Sequence, residues 1–377
     1  MKDYRPECIF VERDVRTSPI TKNVLQALPD VPVREVDSSE PLLQASQRQS
    51  PKPAQAKRSL ILARHKGRFF KPCPAGRTKE GFRNVCCSYF VINYASNCHM
   101  ECSYCYLQSH LNFPHLLIYA NIGDLLTELE EAFAQAPERP FRIGTGELAD
   151  SLALDPLTQY SVPLVEFFAR RHHAVLEFKT KSDCVENLLG LDHRGRTVVS
   201  WSLNPECVQQ REEHKTATIN ERLEAAGRCV AAGYPVAFHL DPLIFYEHWE
   251  RDYEDLIEEI FDRIPPPFLS WISLGSLRML PGLKQVMRER FPGSRLPLGE
   301  LVMTGDGKLR YFKPIRVEMY DKVLGWIRSR GPSLPVYACM ENGDIWRKVF
   351  GCVPQEEELS AKLTSGLIPL NVDGFQH

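Results

Sequence analysis

The chain has 377 residues, 43% of them hydrophobic, enough for one large or two moderate domains with a substantial core. Its net charge of −2 excludes a protein that holds nucleic acid by bulk positive charge, and no 18-residue apolar span or secretory leader pattern stands out. These features predict a soluble, cytoplasmic protein without a membrane partner, whose twelve cysteines bind metal or react rather than form disulfides.

In chain order, residues 8–11 predict a strand, 20–28 a helix and 31–36 a second strand. They make a small N-terminal αβ module over residues 1–58, ending in a polar, linker-like stretch at 37–58. Residues 59–88 read as a basic connecting segment. Between 51 and 83 the ten cations Lys52, Lys57, Arg58, Arg64, Lys66, Arg68, Lys71, Arg77, Lys79 and Arg83 face Glu80 alone. With Phe69, Phe70 and Phe82 interleaved, the block suits phosphate contact plus base stacking, Arg64, Lys66 and Arg68 being its candidate DNA contacts; a solvated linker is the plainer reading.

From residue 89 to 294 strand-like runs alternate with helical patterns. The strands fall at 89–94, 141–144, 175–179, 197–203, 234–240 and 268–274. Helices are predicted at 122–136, 156–171, 185–191, 219–232 (opened by the capping box Thr218-x-x-Glu221), 253–264 and 281–291. Six such units imply a parallel α/β architecture, either an open partial barrel or a doubly wound sheet, both with the site at the carboxyl ends of the strands. Residues 295–377 form a C-terminal extension: a basic strand or hairpin at Lys308-Leu-Arg-Tyr-Phe-Lys313, a helix at 318–330 and a strand at 336–339.

Directly after the first of the six strands comes Cys98-His-Met-Glu-Cys102-Ser-Tyr-Cys105, a CxxxCxxC spacing. Three close thiolates are one ligand short of a closed four-cysteine iron–sulfur site, so a cluster held here keeps one iron open. Structural zinc is the competing reading and wants a fourth ligand such as His99 or His110. At the end of the next strand, Gly144-Thr-Gly146-Glu147 offers a tight turn followed by an acid, a pattern that a strand-ending turn also explains.

CxxxCxxC with Tyr104 before its last cysteine resembles the cluster motif of the radical S-adenosylmethionine superfamily, and Gly144-x-Gly146-Glu147 resembles that superfamily's glycine-glycine-glutamate element. The chain more widely is similar to the spore photoproduct lyase family, through residues 98–108, Leu154-Asp-Pro-Leu-Thr158, Lys179-Thr-Lys181, Ser200-Trp-Ser-Leu-Asn204, Ala232-Gly-Tyr-Pro235 and Tyr246-Glu-His-Trp249. The resemblance implies a partial (βα)6 TIM-like barrel, a [4Fe–4S] cluster on Cys98, Cys102 and Cys105, and S-adenosylmethionine as cofactor. It implies lesion-containing DNA as substrate and a reducing donor such as flavodoxin or ferredoxin as electron source. Gly144, Gly146, Glu147, Lys181 and Ser202 fall at cofactor-lining positions, Tyr104 and Tyr106 match radical-relay tyrosines, and Lys308, Arg310, Tyr311 and Lys313 match a DNA-holding segment.

The family's hydrogen-donating cysteine lies just upstream of its Asp-x-Leu-Thr element, and residues 144–155 of this chain hold no cysteine. Cys184, Cys207, Cys229, Cys339 and Cys352 remain as substitute donors. Cys339 is the first candidate because it follows a predicted strand. Two other functions stay open: a radical enzyme acting on RNA, a peptide or a small molecule, and a nucleic-acid-binding protein with a structural metal.

Overall fold

The computed structural model describes residues 4–49, 53–74, 83–364 and 367. Its main sheet has eight strands, in the order Val336–Ala338, Leu269–Ser276, Val236–Leu243, Thr197–Ser202, Ala174–Thr180, Phe141–Gly144, Phe90–Ile92, Phe70–Pro72. The first seven pair in parallel; Phe70–Pro72 runs antiparallel on the edge. The two edge strands do not pair with each other, so the sheet curls into an open partial barrel.

Side-chain alternation divides the strands into two faces. Leu176, Phe178, Val199, Trp201, Phe238, Leu240, Ile272 and Leu274 belong to the large core against the outer helices. The other face starts apolar, with Val175, Val198, Ala237, Trp271 and Tyr337 near the amino ends of their strands. Trp346 of helix Gly343–Phe350 and Leu359 and Leu363 of helix Glu356–Thr364 close this end. One step toward the carboxyl ends the same face turns polar, with Glu177, Ser200, His239 and Ser273, then Lys179, Ser202 and Asp241.

Several predicted boundaries shift. The N-terminal sheet does not stop at residue 58: it runs Val33–Val36, Cys8–Glu12, Ser59–Ala63, Leu116–Tyr119, Ala95–Ser96, taking a strand from the connecting segment and two from beyond residue 89. The polar stretch after residue 36 contains helix Glu40–Gln49. Strand Val336–Ala338 carries the barrel past residue 294, with Cys339 N donating to Leu274 O at 2.7 Å. Residues 185–191 form turns instead of a helix, with Leu188 N bonded to Val185 O and Leu191 N to Leu188 O. There Asn187 is drawn away to Asp155, 2.9 Å from its Oδ2. The C-terminal helix begins earlier than predicted, at Lys313. No helix among the described residues is long and apolar enough to cross a membrane.

Gly144 has a packing reason. A Cβ there would lie 1.7 Å from the Tyr89 hydroxyl, which is itself fixed by donating to Glu177 Oε2 at 2.7 Å. Gly144→Ala is therefore expected to destabilise the fold by about 1–3 kcal/mol, as overpacking does. Denaturant unfolding measures it, and wild-type stability in the variant would refute the contact.

Candidate cluster site and barrel lumen

The cysteine loop is built from local backbone devices and pinned by distant charges. Asn97 adopts φ 73°, and its side-chain oxygen accepts from Cys98 N at 2.9 Å while its amide donates to Pro114 O at 2.7 Å. Cys102 lies on the two-residue strand Glu101–Cys102, antiparallel to Glu213–His214. Ser103 N donates to Glu212 O at 2.8 Å, and the Ser103 hydroxyl donates to the Glu212 carboxylate.

Glu213, fully buried, is the anchor. It accepts from the Tyr104 hydroxyl and from Asn204 Nδ2 at 2.9 Å, and it pairs with Arg222 at 2.7 Å and Lys181 at 3.2 Å. Burial pushes its carboxyl up, but Lys181 and Arg222 outweigh that and hold it well below the usual range. Lys181 thus sits on this carboxylate, 5.8 Å from the centre of the Tyr104 ring. On the other side of the loop Lys57 donates to Met100 O at 2.8 Å and pairs with Glu101 at 3.2 Å, while Arg290 binds Glu101 and Gln108.

Burial raises all three thiols, Cys98 to about 12. Cys105 acts on Cys98, and Cys105 and Cys98 act on Cys102, while Lys57 lowers Cys98 and Cys105, and Lys181 lowers Cys102 and Cys105. Among the described residues no three His, Cys, Asp or Glu side chains form a ready ion site, and Cys98, Cys102 and Cys105 form no disulfide. The donor set nevertheless fits an iron–sulfur cluster better than a closed zinc site. His99 lies 5.3 Å ring to ring from Tyr4, and burial, Lys57 and Lys215 push it down to about 4. His110 is exposed and packs on Tyr106. Three soft ligands without a protein fourth match an open cluster corner.

The glycine turn meets this loop. The Tyr106 hydroxyl donates to the Glu147 carbonyl, and Asn97 N donates to Leu148 O at 2.7 Å. The Glu147 carboxylate accepts from Asn93 at 2.6 Å and pairs with Lys71 at 3.2 Å. Gly146 packs on Lys179, whose carbonyl would lie 3.2 Å from an added Cβ. Ser202 is buried on the lumen face, and its carbonyl accepts from Arg222 at 2.8 Å. A cleft beside Cys98 is lined by Tyr94, Asn97, Asp150, Asp155 and Thr158.

The sequence reading missed most of the lumen. Glu177 Oε1 accepts from Ser200 at 2.8 Å and meets His239 Nε2 at 2.7 Å, and His239 Nδ1 meets Ser273 Oγ at 2.5 Å. Beneath them the buried Arg142 guanidinium lies 4.7, 4.9 and 5.3 Å from the rings of Tyr89, Trp271 and Tyr337, and donates to Cys87 Sγ at 3.1 Å. Nearer the mouth Asp241 pairs with Arg278 at 2.8 Å. Cys339 shares this environment: burial and Asp241 push its thiol up to about 11 against Arg278, and Cys87 is close enough to act on it. Only the inward alternation in four separate strands hinted at this cluster.

The basic expectations change. Phe69 is buried and Phe70 stacks on Phe90 at 4.9 Å, so neither is available to stack on a base. Lys57 is buried, Arg64 pairs with Asp124 at 2.5 Å, and Arg58, Lys71 and Arg83 pair with Glu7, Glu147 and Glu356. Lys66 and Arg68 are the exposed cations of the described segment without an ion-pair partner among the described residues. Lys52, Arg77, Lys79, Glu80 and Phe82 lie outside the described residues.

In the hairpin, Val302–Met303 and Leu309–Arg310 form a three-stranded sheet with Arg278–Met279. Arg310 is buried between Asp306 (2.5 Å) and Glu341 (3.5 Å), and Tyr311 is buried with its hydroxyl accepting from Phe245 N, so neither side chain is on the surface. Lys308 is mostly buried near Asp306, and Lys313 is half-exposed and paired with Asp344. Electrostatic attraction between neighbouring elements consumed the charges that the sequence offered to a polyanion.

Comparison with known families decides the relationship. The spore photoproduct lyase family profile matches residues 4–311. The chain belongs to the spore photoproduct lyase family. It is similar to the spore photoproduct lyases of Bacillus subtilis (strain 168), 28% identical over 214 residues, and Clostridium acetobutylicum, 27% identical over 209 residues. These alignments cover 56% and 54% of this chain and 63% and 61% of the relatives, under two thirds of their length. A solved spore photoproduct lyase double mutant with bound AdoMet and dinucleoside spore photoproduct superposes with a TM-score of 0.75 at 24% identity, over 89% of this chain and 99% of the other. That superposition establishes the family's curled half-barrel as the fold.

Two predictions follow from the charges. Glu213→Ala strands Arg222 and Lys181 in the interior and is expected to cost about 3–5 kcal/mol in denaturant unfolding. Burial raises the Asp241 carboxyl, but Arg278 and Lys179 hold it down at about 2. Its stabilisation is therefore complete above the unfolded value of about 4 and lost as pH falls toward 2. Asp241→Asn should flatten the stability-versus-pH curve in that window, and an unchanged slope would refute the pairing.

Proposed function

We propose that this chain is a radical S-adenosylmethionine enzyme that repairs the spore photoproduct in DNA. The observation that carries the reading is the CxxxCxxC loop in a chain with the spore photoproduct lyase half-barrel, its three thiols joined by no fourth metal-ligating side chain among the described residues. When bound and reduced, a [4Fe–4S] cluster with S-adenosylmethionine on its open iron supplies a 5′-deoxyadenosyl radical able to take a hydrogen atom from the lesion.

This chain's residues then have separate tasks. Cys98, Cys102 and Cys105 hold the cluster, and Gly144, Gly146, Glu147 and Ser202 line the cofactor's side of the lumen. Tyr104, locked onto Glu213, acts chiefly by fixing the cysteine loop, whereas the exposed Tyr106 has a hydroxyl free to exchange its carbonyl partner for a radical relay. Cys339 is the proposed hydrogen donor: it sits on the lumen face, and burial keeps it as S–H, the form that can surrender a hydrogen atom. The product carbon radical becomes C–H and Cys339 a thiyl, which one electron from a flavodoxin- or ferredoxin-type protein and one proton return to thiol. Lys66 and Arg68 are the proposed phosphate contacts.

The absence of a cysteine from residues 144–155 favours a second reading, in which the same radical acts on another substrate. Anaerobic reconstitution followed by an oligonucleotide carrying the photoproduct separates the two. Recovery of thymine supports repair; cleavage of S-adenosylmethionine without it assigns a different substrate; a zinc-only protein overturns both. Cys102→Ala should lose iron and turnover. Cys339→Ala should keep both iron and S-adenosylmethionine cleavage while thymine yield falls and adducts of the trapped radical accumulate, and an unchanged product mixture would remove Cys339 as donor.

A further inference from the structure

Three carboxylates grip the cysteine loop: Glu212, held by the Ser103 and Ser294 hydroxyls, and two that are each held by two cations. Glu101, next to Cys102, lies between Lys57 and Arg290; Glu213, bonded to Tyr104 and opposite Cys102 in the antiparallel strand pair, lies between Lys181 and Arg222. All six side chains are largely shielded from water, none more than 16% exposed. Each triad carries two positive charges and one negative; with Glu212 the four cations face three carboxylates, leaving one excess positive charge around the loop. A single carboxylate would need one cation for neutrality, and the second costs desolvation. In a medium of low dielectric this excess acts on whatever charge the loop encloses.

We propose that Lys57 and Lys181 are positioning residues that set the redox properties of the cluster site, their excess charge raising the reduction potential of an iron–sulfur cluster on Cys98, Cys102 and Cys105. The inference rests on the cluster reading above. Reduction by a one-electron donor of the flavodoxin or ferredoxin class adds one electron and one negative charge to the enclosed group, with no bond made or broken in the protein. A buried positive charge stabilises that reduced state more than the oxidised one. The two triads reach the loop from opposite sources: Lys57 follows helix Pro53–Ala56 of the N-terminal part, and Lys181 follows strand Ala174–Thr180 of the barrel. Lys57 also bonds the Met100 carbonyl between two cysteines, so its charge cannot drift from the site.

The test is a redox titration of the reconstituted full chain, followed by electron paramagnetic resonance, with iron content measured in each sample. Lys57→Met and Lys181→Met are expected to shift the midpoint to more negative potential, Lys57→Arg to leave it near wild type, and Glu101→Gln to shift it to more positive potential. Loop damage alone would move the Lys57→Met and Glu101→Gln midpoints in the same direction. Shifts of one sign, or none with iron content intact, overturn the proposal and leave the cluster reading standing. A wild-type chain that takes up no iron overturns the cluster reading itself. Should Lys57→Met fail to load iron, Glu101→Gln decides: a positive shift supports the proposal and an unmoved midpoint refutes it.

Discussion

The buried carboxylate of Glu213 is the constraint on which the rest of the molecule depends. A charge with no solvent exposure survives only if its surroundings repay the lost hydration, and here four partners from different parts of the chain do so. Tyr104 comes from the cysteine loop, Lys181 from the end of one barrel strand, Asn204 from just beyond the next, and Arg222 from helix Ile219–Ala231. Because they converge on two oxygen atoms, the loop has one position relative to the barrel. A more hydrophobic anchor would hold it with less directional force, since burial fixes area but not orientation.

The lumen repeats this logic at another depth. Its floor is apolar and aromatic, yet it contains the Arg142 guanidinium, stabilised by three ring faces and by the negative Glu177 above. Burial pushes the Glu177 carboxyl up, but the Arg142 charge and the hydrogen bonds from His239 and Tyr89 hold it down, while burial drives His239 down to about 4 and leaves the imidazole neutral. The polar belt is thus charged in a fixed pattern at neutral pH, and groups entering from the mouth meet oriented dipoles.

What could be read from the sequence follows the range of the interactions involved. The three cysteines lie within eight positions, so their spacing announced a cluster loop; strand alternation and the Thr218 capping box are equally local, and both are present in the fold. Lys57 looked like one cation in a basic block because its partner Glu101 is 44 positions away, and Arg310 and Tyr311 looked like DNA contacts because Glu341 and Phe245 were out of view. Glu177, His239, Ser200 and Ser273 come from four strands and have no spacing at all. A charged residue shows in sequence whether it can bind a polyanion, but not whether the fold has already given it a partner.

The plugged floor has a further consequence. Trp346, Leu359 and Leu363 pack over the amino end of the barrel, so among the described residues that end of the lumen is covered. A barrel covered at that end gives its lumen a direction: the polar belt is reached from the carboxyl side or past the unpaired edges, and two C-terminal helices that contribute nothing to the belt impose that direction.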